Sequence, residues 1–72
     1  MDKSEMEKLK ILLHHWIEHN KEHGDEFRKW AEKARDLGEA TVQEDMLGAA
    51  QYMDKASESL LIALEELSKG RP

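Results

Sequence analysis

The chain has 72 residues, 16 of them acidic and 11 basic, a net charge of −5 with the histidines neutral, and no cysteine. Disulfides, thiolate metal sites and cysteine nucleophiles are therefore excluded, and the acidic balance opposes binding to a phosphate backbone, so no nucleic-acid partner is expected. A single domain over residues 1–72 is near the size at which one chain struggles to bury enough apolar surface, which makes a partner subunit an expectation in itself.

The N-terminal stretch "MDKSEMEKLK" is charged where a secretory segment would be apolar, and no apolar run approaches membrane-spanning length. The expectation is a cytoplasmic protein without membrane contact. Ser4 to Glu7, "SEME", then fits a capping box that opens a first helix. Gly38 stands where a left-handed residue would close that helix, and Thr41 to Glu44, "TVQE", fits a second capping box. Lys69, Gly70 and Pro72 form a final stop signal. The fold class is all-α: an antiparallel two-helix hairpin, about 4–37 and 41–69, with helices roughly 50 and 43 Å long.

Met6, Leu9, Leu13, Trp16, Asn20, His23, Phe27, Trp30, Ala34 and Leu37 recur at alternating steps of three and four, as a heptad seam requires. Gly24 lies within this unbroken phase, so the first helix is expected to run through it; a turn at "HGD" with Asp25 as a new cap is the alternative. The second helix repeats the rule with Val42, Met46, Ala49, Met53, Ala56, Leu60, Ala63 and Leu67. Beside these seams lie Ile17, Gly24 and Ala31 on the first helix and Ala50, Ser57 and Leu64 on the second. The apolar stripe is thus wider than one helix-helix interface uses. A lone hairpin would leave Trp16, Ile17, Phe27 and Trp30 partly exposed, whereas two hairpins would cover them, so the expectation is a homodimer forming a four-helix bundle.

All four histidines fall in "LLHHWIEHNKEHGDEF", Leu12 to Phe27. Steps of four residues advance 400° around a helix, so His15, His19 and His23 form a ladder that climbs from solvent toward the seam, while His14 points away. Imidazoles at i and i+4 can chelate one divalent ion, with Glu18, Glu22 and Asn20 as donors or orienting groups around it. Without thiolates the candidates are zinc, copper, nickel and iron. The other reading is structural: a seam Asn20 and His23 fix register and oligomeric state, as polar residues do in coiled coils. If the first helices of two subunits packed antiparallel about a twofold axis, two copies of His19 and His23 would supply four ligands. The hairpin register places His23 roughly opposite Ala56 and Ser57, and Asn20 near Ser59 and Leu60. Clustered histidines would also make assembly pH-sensitive near about pH 6.

His15 to His19, "HWIEH", matches the H-x-x-E-H pattern of one zinc-protease class, but a two-helix hairpin has no substrate cleft. The ferritin-type Glu-x-x-His pair is absent, and no nucleophile with an evident base exists, so no enzyme activity is expected. The run "HHWIEHNKEHGDEFRKWAEKA" with "AAQYMDKASESLLIALEEL", from about Leu9 to Leu67, resembles the helical hairpin domain of small archaeal and bacterial proteins. That domain is sometimes attached to a nickel-binding accessory β-barrel of the carbon monoxide dehydrogenase maturation type. The resemblance implies a metal-related context, with nickel as one candidate beside zinc, for His15, His19 and His23. This chain lacks the barrel and its metal-binding cysteine. Two functions follow from the sequence: a dimeric, non-catalytic module that stores, delivers or senses a transition metal, or a structural dimerisation module.

Overall fold

The computed structural model describes residues 3–69. Two helices, α1 (Lys3–Asp36) and α2 (Ala40–Ser68), fold back on each other as an antiparallel hairpin, a rod of 55 × 15 × 13 Å measured over Cα atoms. Neither helix is long and apolar enough to cross a membrane. α1 passes through Gly24 without interruption, as the unbroken heptad phase requires.

The turn is built by Gly38, whose φ of 82° is open to glycine at little cost. The Glu39 amide donates to the Ala34 carbonyl at 2.9 Å and the Gly38 amide to that of Arg35 at 2.9 Å, the paired bonds of a Schellman motif. This closure is so short that α2 starts at once, with Glu39 at the cap position and its carbonyl accepting from the Gln43 amide at 3.0 Å. The expected Thr41 capping box is therefore not used, because Thr41 is already inside the helix and no side chain bonds at the cap. Ser4 likewise lies within α1 and not before it. At the far end Ser68 Oγ donates to the Leu64 carbonyl and the Lys69 amide to that of Glu66. Gly70 and Pro72 lie outside the described residues.

The seam is rotated from the one the heptads suggest. Its most buried residues are Leu13, Gly24, Ala31 and Ala34 on α1 and Ala50 and Leu64 on α2, with Ala31 and Ala50 at 0% exposure. The column expected to flank the seam, Ile17, Gly24 and Ala31, is central, and so is its counterpart Ala50, Ser57 and Leu64. Trp16, Trp30 and Leu37, expected in the seam, are 40%, 53% and 79% exposed. Side-chain size explains the choice. A glycine and alanines let the two backbones approach closely, whereas indoles at the same positions would hold the helices apart and leave gaps. A Cβ on Gly24 would be in ordinary contact with α2, 3.8 Å from Met53 Cβ and 3.9 Å from the Ala50 carbonyl oxygen. This contact also sets the register: Ala50 and Met53 stand level with Gly24, so His23 faces a point short of the Ala56 and Ser57 expected opposite it.

The rotation gives the hairpin two unlike flanks. On one, Arg28 Nη2 donates to Asp54 Oδ2 at 2.5 Å, and Ile17, Lys21, Asp54, Ser57, Glu58 and Leu61 line a shallow groove. On the other, Leu9 and Ala63 share a groove of about 410 Å³ at the open end. Seven-residue spacing continues that second flank along α1 through Trp16, His23 and Trp30 to Leu37 just past its end, and along α2 through Ala56, Ala49 and Val42.

Candidate functional site

His15, His19 and His23 stand one above another because each step of four residues returns to nearly the same side of α1, about 40° further round. Their ring centroids are 5.7 Å apart for His15 and His19 and 4.5 Å for His19 and His23, and His23 stacks on Phe27 at 5.9 Å with 26° between the rings. The ladder thus tightens toward the apolar flank, where Phe27 supports its last rung. His14 is exposed, as its position on the polar face requires.

His19 and His23 meet through their Nε2 atoms, 3.0 Å apart. The Glu26 carboxylate lies 3.6 Å from the other nitrogen of His23, Nδ1. A carboxylate there favours the proton on Nδ1, which leaves the Nε2 lone pair of His23 to accept from the Nε2–H of His19. The same arrangement suits a metal. With metal–nitrogen bonds of about 2.0–2.1 Å, two nitrogens 3.0 Å apart subtend about 95° at the ion, close to a square-planar or octahedral angle and a small side-chain movement from a tetrahedral one. Glu26, 3.6 Å from the remote nitrogen of His23, stands on the side from which a carboxylate orients a ligating histidine, and a small side-chain movement would bring it into hydrogen-bond range.

Among the described residues no three His, Asp or Glu side chains converge on one point. A single chain therefore offers a two-nitrogen chelate, short of the four donors of a closed site. Glu18 and Glu22, expected as orienting groups, are exposed, and Asn20 is half-buried in the seam. Glu26 is the carboxylate that stands beside His23. The signal for it was present as the i, i+3 spacing from His23, which brings two side chains together on one helical face. His23 itself retains 43% side-chain exposure, because the rotated seam moves it to the flank. Of the four residues expected at a dimer interface, Trp16 and Trp30 lie on that flank, while Ile17 and Phe27 are half-buried against the hairpin's own seam.

The chain belongs to the family described as a domain of unknown function, DUF8180, whose profile matches residues 9–67. No curated protein and no solved structure matches it.

Proposed function

We propose that this hairpin is a small helical module that binds a divalent transition metal through His19 and His23, with His15 as the next donor on the ladder, and that it works as a homodimer in a four-helix bundle. Storage, delivery or sensing is the use we assign to such a site. The observation that carries the reading is the 3.0 Å approach of the two Nε2 atoms, with Glu26 behind His23. Imidazole nitrogen selects zinc, nickel, copper or cobalt over calcium and magnesium.

Calorimetric titration of the chelator-stripped protein with nickel, zinc and cobalt tests it. Binding at micromolar or tighter affinity and a fixed ratio is expected, lost in His19→Ala with helicity retained. A second reading, a structural dimerisation module, is favoured by the exposed indoles of Trp16 and Trp30. Under it no metal binds, His19→Ala leaves assembly unchanged, and His23→Leu strengthens the dimer.

A further inference from the structure

The flank column of α1 reads the same in both directions. Leu9, Trp16, His23, Trp30 and Leu37 follow at intervals of seven, so that His23 is the centre, a tryptophan stands one heptad to either side and a leucine two heptads to either side. An antiparallel twofold axis through the centre of such a column brings each residue against one of its own kind, which is what a self-complementary interface requires. The facing column of α2, Val42, Ala49, Ala56 and Ala63, is small. It forms a trough beside the ridge of indoles, room into which the paired indoles of two copies can tilt.

Area points the same way. The chain exposes 5739 Å², against about 4,600 Å² for a compact protein of 8.4 kDa. The excess of about 1,100 Å², spread over the elongated rod of 55 × 15 × 13 Å, leaves room for the roughly 800 Å² per partner of a standard interface. Trp16, Trp30, Leu37 and Val42, all exposed on this flank, contribute to it.

We infer that two copies pack these flanks antiparallel about a twofold axis at His23, and that His19 and His23 of both chains form one four-nitrogen metal site on that axis. The inference rests on the two-histidine reading above and adds the partner that completes it. The His23 rings of the two copies meet at the axis, and each His19, one turn away on the same side of its helix and with its Nε2 already 3.0 Å from that of His23, reaches the same ion by a change of rotamer. Two Glu26 carboxylates, one behind each His23, balance the double charge of the metal in a site whose ligands are all neutral.

Two measurements test the packing and the site separately. The first is oxidative cross-linking without metal, which the absence of native cysteine makes clean. Positions 9 and 37 of one chain are about 42 Å apart along the helix and cannot pair with each other. The double variant Leu9→Cys/Leu37→Cys is expected to form covalent dimers, and each single variant to remain uncross-linked. Cross-linking of the single variants, or none in the double, overturns the antiparallel axis. The second is zinc stoichiometry by native mass measurement and calorimetry. One zinc per two chains is expected, with affinity reduced roughly a hundredfold in a helical but monomeric Trp30→Glu. One zinc per chain, unaffected by Trp30→Glu, overturns the shared site and leaves the two-histidine chelate standing. No zinc binding by a wild-type protein that still cross-links as expected overturns both metal readings and leaves the twofold packing alone.

Discussion

Arg28 crosses the bare backbone of Gly24 to reach Asp54 on the opposite helix. A Cβ added to Gly24 would lie 3.2 Å from Arg28 Nη1, with Met53 Cβ and the Ala50 carbonyl oxygen at ordinary contact distance. The tight neighbour is the far end of a flexible side chain and yields by a few tenths of an ångström. The helix-propensity gain of alanine over glycine, about 1 kcal/mol, is the larger effect. Gly24→Ala is therefore expected to stabilise the hairpin by about 0.5–1 kcal/mol in urea unfolding. Gly24→Leu should destabilise it, because a branched side chain has to displace α2 itself.

The Arg28–Asp54 bridge is the ion pair between the helices among those described, and both side chains are about half exposed. Water screens such a pair, so its coupling energy in a double-mutant cycle with Arg28→Ala and Asp54→Ala is expected at about 0.5–1 kcal/mol, falling in high salt. A coupling near zero would leave small-residue packing as the only source of register.

Ala50 has no exposure and meets α1 at the level of Gly24. Ala50→Leu forces the backbones apart, at a cost of about 1–3 kcal/mol in denaturant unfolding. Leu13→Ala, which empties the one large buried position of α1, is expected to cost about 2–3 kcal/mol. Substitutions of exposed Tyr52 should change stability by no more than about 0.5 kcal/mol.

Zinc binding should weaken from neutral to mildly acidic pH, because metal and proton compete for the same imidazole lone pairs. The sign is fixed: acid removes the ligand, so affinity falls as pH falls. Calorimetry across that range checks it, and an affinity independent of pH would mean that carboxylates and not His19 and His23 hold the ion.

The two helices and their turn were legible because their signals are local: three-four spacing, and a glycine placed where a left-handed residue is needed. The phase of the seam was not. Leu9, Trp16, His23 and Trp30 and the adjacent Ile17, Gly24 and Ala31 satisfy the heptad equally well, and hydrophobicity favours the indoles. Two helices in a hairpin instead meet along their narrowest faces, which is a property of the pair and not of either helix. The capping boxes misled for a related reason, since the Schellman bonds at Gly38 fix where α2 can begin whatever Thr41 and Glu44 would prefer. At the candidate site the ladder of His15, His19 and His23 could be read from spacing alone, but the carboxylate behind it could not be chosen among Glu18, Glu22 and Glu26 until the side of α1 facing the flank was known.

The turn at Gly38 has a kinetic consequence. Every rung of the hairpin closes a longer loop than the one before it, and closure entropy grows with loop length, so the hairpin zips from Gly38 outward and frays from its free end inward. Gly24 and Ala50 form the middle rung. Once closure has passed little more than one turn beyond them, His19 and His23 are fixed on a completed length of helix, while the last turns around Met6 and Leu67 can open and reclose without disturbing either imidazole.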